Sequence, residues 1–169
     1  MQHATQVELL KRTLSLIERG VSDCAEQPSA LPVSVYLDQA RFAREREQVL
    51  RREPVMVARS SEIPAGHFIT RNLLAPLLLT RDAHGLLRGF LNVCKHRGTQ
   101  LVDDAAGSNR VFVCPYHAWS YNPDGQLRGI PGAYGFEGID RACLNLTELP
   151  VGERFGAIWV SHTPGPALD

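Results

Sequence analysis

Four residues between positions 94 and 117 place thiol and imidazole side chains in two pairs. Cys94 and His96 lie two residues apart in CKH, and Cys114 and His117 lie three apart in CPYH. Residues i and i+2 of an extended loop face the same way, and Pro115 favours a turn that brings the second pair together. Two thiolates and two imidazoles bind either a zinc ion or an iron–sulfur cluster.

The distribution of cysteine and histidine between the two loops distinguishes a zinc site from an iron–sulfur site. A Cys₂His₂ zinc finger has both thiols in one knuckle and both imidazoles on one helix, whereas here each loop carries one of each. Between the loops lie 17 residues, 97–113, enough for an excursion that returns the second pair beside the first. This pattern suits a two-iron centre in which two thiolates hold one iron and two imidazoles hold the other. A structural zinc site remains the alternative.

Composition and charge exclude several other classes of protein. The chain has 169 residues, enough for one domain and an additional arm, and its formal charge is zero, without the basic surplus that nucleic acids or anionic membranes attract. The N-terminus lacks the apolar stretch of a signal peptide, and the longest apolar run, residues 73–79, is too short to span a membrane. We therefore expect a cytoplasmic protein, in which Cys24 and Cys143 are buried or idle thiols.

The N-terminal third is predicted to be helical. A capping-box pattern at Thr5, an apolar residue every three or four positions, and Gly20 predict a helix from about Gln6 to Arg19. A second helix, from about Gln39 to Arg52, is rich in Arg and Glu, and Asp38 is placed to cap it. Its charges indicate a solvated surface.

From Pro54 onward, short apolar segments alternate with turn residues, which predicts a mainly β domain. The predicted strands and hairpins are PVMVA at 54–58, a hairpin turning at 83–85, VFV at 111–113, a hairpin turning at 122–125, and FGAIWVSH at 155–162. The predicted organisation is a helical arm over 1–53, a β domain over 54–162 with ligand loops at 92–100 and 112–122, and a linker over 163–169.

The ligand loops and their surroundings resemble a known family. CKHRG and CPYHAWSY, together with SEIPAGHFITRNL, LLLTRDAHGLLRGFLNV and LPVSVYLDQARFAREREQVL, resemble the Rieske domain of the large (alpha) subunit of aromatic-ring-hydroxylating oxygenases. The resemblance covers roughly residues 31–160. One departure is Ala118, where this family usually has glycine, and a methyl group there is expected to be tolerated with a slight shift of the tight turn.

The resemblance implies a Rieske-type antiparallel β sandwich whose hairpin loops bind a [2Fe–2S] cluster. Cys94, His96, Cys114 and His117 would be its ligands, with the cysteines deep and the histidines toward solvent. The cluster would take electrons from NAD(P)H through a ferredoxin or reductase donor, and the protein would assemble into an oligomer. Trp119 stands where high-potential Rieske proteins carry serine, which implies a potential toward the low end of the range.

The resemblance also implies an oxygenase component for aromatic ring hydroxylation, in which the electron passes to a mononuclear iron held by two His and a carboxylate. The sequence offers no second His pair with a nearby carboxylate, so no catalytic residue is predicted and the chain carries the electron-transfer half. The alternative is a stand-alone Rieske-type ferredoxin. The two N-terminal helices favour the oxygenase subunit.

Several residues near the site or of ligand type are given other roles. Trp119 and Tyr121 are expected to pack over the cluster, and Arg97 to hydrogen-bond the loop. Lys95 has two possible roles, in the loop or toward a negatively charged redox partner. The remaining histidines, His3, His67, His84 and His162, have no ligand spacing and are expected on the surface or in loops.

Overall fold

A computed structural model describes residues 2–25, 27–166 and 168 of the chain. Met1 and Glu26 of the predicted arm, and Ala167 and Asp169 of the predicted linker, lie outside the described residues. The chain divides between Asp38 and Gln39 into two compact units.

The helices lie in the N-terminal part of the chain, and the strands follow. The helices are α1 (His3–Arg19), α2 (Ser34–Leu37) and α3 (Gln39–Glu45), the last continued by a π-helical turn at Arg46–Leu50. The strands are β1 (Val55–Arg59), β2 (Phe68–Asn72), β3 (Pro76–Arg81), β4 (Leu87–Leu91), β5 (Ala106–Gly107), β6 (Phe112–Val113), β7 (Ser120–Tyr121), β8 (Leu127–Gly129), β9 (Glu148–Leu149), β10 (Val151–Arg154) and β11 (Ala157–Val160). Short 3₁₀ turns occur at Ser60–Glu62, Ala133–Phe136 and Arg141–Leu144.

The first predicted helix is present but begins earlier than its capping pattern indicates. α1 starts at His3, and Gln2 at its N-cap makes no side-chain capping bond. The predicted capping box is therefore wrong, because Thr5 lies inside the helix, where its side chain is exposed to water. The predicted stop is confirmed: Gly20 has φ 60°, and its N–H bonds to the carbonyls of the last turn.

The second predicted helix is present as α3 and the π-helical turn, which ends at Leu50. Its side chains are exposed, apart from the half-buried Leu50, so the prediction of a solvated surface is confirmed.

Three antiparallel sheets are formed by the described residues. Their strand orders are β1-β11-β10, β5-β2-β3-β4-β9 and β6-β7-β8. The predicted hairpin at 83–85 joins β3 to β4 with Arg81 opposite Leu87, and the one at 122–125 joins β7 to β8 with Tyr121 opposite Leu127. The predicted mainly β, antiparallel fold is therefore confirmed. The sequence analysis did not predict β2, β5, β9 or β10.

The core lies on both faces of β3, the central strand of the five-stranded sheet. Leu77, Leu78 and Leu79 are each 0% exposed, although successive side chains of a strand point to opposite faces. Leu77 and Leu79 pack with the three-stranded sheet of β1, β11 and β10, while Leu78 packs with β6, β7 and the ligand loops. The loops that carry the Cys/His pairs therefore rest on a sheet that is buried on both faces.

Candidate metal centre

The first Cys/His pair lies in a tight loop that follows β4. The Cys94 N–H donates to the Thr99 carbonyl at 2.8 Å, and the Gly98 N–H donates back to the Cys94 carbonyl at 3.0 Å. Gly98 has φ 72°, a left-handed conformation that glycine adopts without steric cost. These bonds curl the loop around Cys94.

The second pair lies in a loop of the same construction between β6 and β7. The Cys114 N–H donates to the Trp119 carbonyl at 2.8 Å, and the Ala118 N–H donates back to the Cys114 carbonyl at 3.0 Å. The offsets from the cysteine, five residues and four residues, are the same in both loops. Ala118 has φ 55° and occupies the position of Gly98, so the turn keeps its hydrogen bonds despite the methyl group.

The two loops bring all four predicted side chains together. Cys94 and Cys114 are 1% and 3% exposed and belong to the same core cluster, whereas His96 is half-buried and His117 is exposed. The two imidazole rings lie 4.8 Å apart between centroids, at 69° to each other. The expected arrangement, with the cysteines deep and the histidines toward solvent, is confirmed.

The surroundings adjust the protonation of the buried members. Burial raises the pKa of the Cys94 thiol, so a metal must displace its proton on binding. Burial, and then the nearby charges of His117 and Arg97, lower the pKa of His96. The neutral imidazole, which is the form that binds metals, is thus favoured at His96.

Tyr121 has a role that the sequence analysis missed. It was expected only to pack, and its side chain is indeed 0% exposed. In addition, its hydroxyl lies 3.4 Å from Cys94 Sγ and accepts a hydrogen bond from the Lys95 N–H at 3.1 Å. Burial, and then the hydrogen bond to Cys94, raise the pKa of Tyr121 above its ordinary value, so the hydroxyl remains a donor. The i, i+2 spacing of Trp119 and Tyr121 indicates that both side chains face inward, but it carries no signal for the contact of the hydroxyl with the sulfur.

Trp119 packs against the site as predicted. It is 2% exposed, and its indole is stacked on the His96 ring at 4.8 Å with 3° between the planes.

Asn92 closes the first loop, and the sequence analysis did not single it out. Its amide is 1% exposed, donates through Nδ2 to the Val102 carbonyl at 2.7 Å, and accepts from the Val102 N–H at 3.0 Å. This reciprocal pair ties the two ends of the loop segment together. A buried amide with both groups bonded fixes one conformation, because each group would be costly to leave unpaired.

The other singled-out residues place their side chains in solvent and do not join the four Cys and His side chains. Lys95 and Arg97 are exposed. Cys24 and Cys143 are exposed as well, so of the two alternatives predicted for these thiols, buried or idle, burial is wrong. The prediction of surface or loop histidines is confirmed for His3, His67 and His84, which are exposed.

His162 also lies in a loop, as predicted, but unlike the other three it is half-buried, and both its ring nitrogens are buried without a hydrogen-bond partner among the described residues.

The described residues hold neither a three-ligand metal cluster nor a membrane-spanning helix. Over 2–25, 27–166 and 168, no three His, Cys, Asp or Glu side chains are placed to hold a single metal ion. Within the same ranges, no helix is both long enough and apolar enough to cross a bilayer.

Comparison with known proteins identifies relatives among oxygenase components. The chain is 32% identical over 145 residues to the carnitine monooxygenase oxygenase subunit of Escherichia coli K12, which covers 83% of this chain and 39% of the relative. It is 35% identical over 126 residues to the large oxygenase component of the naphthalene 1,2-dioxygenase system of Pseudomonas aeruginosa, covering 72% and 28%. The chain therefore spans less than half the length of these relatives.

The fold agrees with solved structures of the same kind. The crystal structure of naphthalene 1,2-dioxygenase from a Rhodococcus species superposes with a TM-score of 0.72 at 32% identity, covering 82% of this chain and 33% of that one. The profile of the Rieske [2Fe–2S] domain matches residues 53–140, just over half of the chain, including both ligand loops. The chain belongs to the Rieske [2Fe–2S] domain family.

Proposed function

We propose that this chain is the electron-transfer domain of a ring-hydroxylating oxygenase large subunit, and that four of its residues hold a [2Fe–2S] cluster. Cys94 and Cys114 would bind the inner iron, and His96 and His117 the outer one. The observation that carries the proposal is the equal construction of the two loops, which places two thiols in the core and two imidazoles beside each other near the surface.

The chemistry of the donors fits this cluster. The thiols lie side by side in an apolar core, and His96 favours the neutral ligand form. When bound, a Rieske cluster accepts and returns one electron, and two neutral imidazoles in place of two thiolates make its oxidised form less negative, which raises the potential.

The protein contributes shielding and an outlet for the electron. Cys94, Cys114 and Tyr121 lie in the core and exclude water from the inner side of the site, while the exposed imidazole of His117 provides the contact through which electrons arrive or leave. We propose that electrons reach the cluster through this outlet from a ferredoxin or reductase donor and leave it toward a mononuclear iron.

The relatives support the wider context of the proposal. The two relatives described above are oxygenase components, and the chain spans 39% and 28% of their lengths. We propose a division into a helical arm over 1–53, the cluster domain over 54–162 and a linker over 163–169. A cytoplasmic location and an oligomeric assembly belong to the same proposal.

Metal and sulfide analysis of the purified protein tests the proposal. Protein prepared without oxygen should contain about two irons and two acid-labile sulfides per chain, as the cluster requires. Cys94→Ala and Cys114→Ala should each abolish the cluster, whereas Cys24→Ala, a control at an exposed cysteine outside the site, should retain it. Stoichiometric zinc without labile sulfide would refute the proposal in favour of a structural zinc site.

A further inference from the structure

An exposed flap beside the site is anchored by one side chain. The flap comprises residues 131–140, and Phe136 is the one residue between Pro131 and Cys143 that is not exposed. Gly132 and Gly138, with φ 70° and 81°, bracket the 3₁₀ turn that carries Phe136. Left-handed glycines permit a sharp change of chain direction at each end of the turn. The position of the flap on the protein therefore depends on where Phe136 packs.

Phe136 packs on the half-buried histidine of the site. Its ring lies 6.0 Å from the His96 ring and 5.1 Å from the Trp119 ring, in both cases at 81°, an edge-to-face arrangement that aromatic rings favour. Trp119 is stacked parallel to His96, and the His117 ring lies 4.8 Å from it. His96 is therefore surrounded by three rings, of which Phe136 alone comes from the flap.

We propose that Phe136 is a positioning residue for His96, and that the flap it anchors shields this side of the metal centre from water. The inference rests on the proposed function, in which His96 is a ligand. An imidazole that binds a metal must keep one ring nitrogen aimed at it, and residues that hold the ring restrict its rotation. Trp119 covers the face of the ring, and Phe136 closes a second side.

Three variants of the full-length chain with its cluster test this role. Phe136→Ala removes the ring, Phe136→Leu keeps an apolar side chain of similar bulk, and Tyr134→Ala removes an aromatic side chain that is 85% exposed in the same turn. The first readout is the electron paramagnetic resonance spectrum of the reduced cluster, which reports the orientation of the histidine ligands. The second is the rate at which an iron chelator bleaches the oxidised cluster.

Phe136→Ala should broaden the spectrum and speed bleaching at least about fivefold, because it removes the edge-to-face pairs with both His96 and Trp119. Phe136→Leu should change both properties in the same direction but by less, because it keeps the apolar cover and lacks the aromatic edge. Tyr134→Ala should match the wild type in both. If Phe136→Ala folds poorly, Phe136→Leu is compared with Tyr134→Ala. A broader spectrum and faster bleaching in Phe136→Leu support the role, and equality of the two variants overturns it.

The outcomes separate this inference from the proposed function. A wild-type protein that binds its cluster, with Phe136 variants indistinguishable from Tyr134→Ala in spectrum and bleaching rate, overturns the role of Phe136 and leaves the proposed function intact. A wild-type protein that binds no cluster overturns both.

Discussion

Replacing Tyr121 by phenylalanine should lower the reduction potential of the metal centre. The hydroxyl lies 3.4 Å from Cys94 Sγ and is already an acceptor for the Lys95 N–H, which leaves its own proton free to point at the sulfur. A cysteine that binds iron is a thiolate and carries no proton, so the phenol must be the donor. Reduction adds negative charge at the cluster, and the hydrogen bond then becomes stronger.

The size of the effect follows from that difference in strength. A neutral hydrogen bond contributes about 1 kcal/mol, and one to a charged acceptor roughly twice as much. Between the two oxidation states the bond should therefore differ by roughly 0.5–1.5 kcal/mol. For a one-electron couple a tenfold change in equilibrium constant is about 59 mV, so the potential of Tyr121→Phe should fall by about 20–60 mV.

Spectroelectrochemical titration of the visible absorption measures the change. Tyr116→Phe is the matched control, because it removes a hydroxyl from a side chain of the second loop that is 58% exposed, and its potential should equal that of the wild type. A potential of Tyr121→Phe that equals or exceeds the wild-type value, in protein with a full complement of iron and sulfide, would refute the assignment of this hydroxyl as a donor to Cys94.

Three further changes should alter stability. Burial, and then the charge of Arg51, lower the pKa of His162 in the folded protein, so the unfolded chain takes up the proton first as the pH falls. Wild-type stability should therefore fall below about pH 6.5, the ordinary pKa of histidine. In urea unfolding, the stability of His162→Phe should lack this contribution to the pH dependence. Asn92→Ala leaves the Val102 N–H unpaired and the Val102 carbonyl with only the 3.3 Å bond from the Gln100 amide, so it should destabilise by about 1–3 kcal/mol. Gln100→Ala, at an exposed position of the same loop, leaves the Asn92 pair intact and should cost far less in the same assay. Ala118→Gly should raise the melting temperature.

The ligand loops could be predicted because their information is local. The spacing within each Cys/His pair and the turn residue Pro115 lie within a few positions of one another. The same holds for the hairpin at 122–125, where Gly125 has φ 82° and the Asp124 carboxylate accepts from the Gln126 N–H at 3.0 Å. Turn chemistry of this kind is determined by the residues of the turn itself.

The missed features depend on partners far along the chain. The two residues of β9 pair with Gly89 and Phe90 of β4, almost sixty positions earlier, and nothing in their own short sequence indicates a strand. Tyr121 meets Lys95 across 26 positions, and a tyrosine that only packs looks the same in sequence as one that donates to a sulfur. The error at Thr5 has the opposite origin, since a local capping pattern was present but the exposed helix extends beyond it.

The two loops share the same hydrogen bonds, so the effect of one methyl group on stability can be tested at the equivalent position of each loop. Ala118 and Gly98 are both four residues after a cysteine and both have positive φ, 55° and 72°. A left-handed residue other than glycine costs roughly 1–2 kcal/mol, and glycine loses about 0.4–1 kcal/mol more than alanine in unfolded-chain entropy. Ala118→Gly should therefore stabilise the protein by about 0.5–1 kcal/mol.

Gly98→Ala is the reciprocal test. A Cβ at Gly98 would meet nothing within 4 Å, so packing contributes nothing to the change and the backbone conformation alone decides it. Gly98→Ala should destabilise by about 0.5–1 kcal/mol, the reverse of Ala118→Gly, for the same reason. Urea unfolding of both variants, with iron content held equal, measures the pair. A gain of stability in Gly98→Ala, or a loss in Ala118→Gly, would show that the two loops do not share the strained position that their common hydrogen bonds indicate.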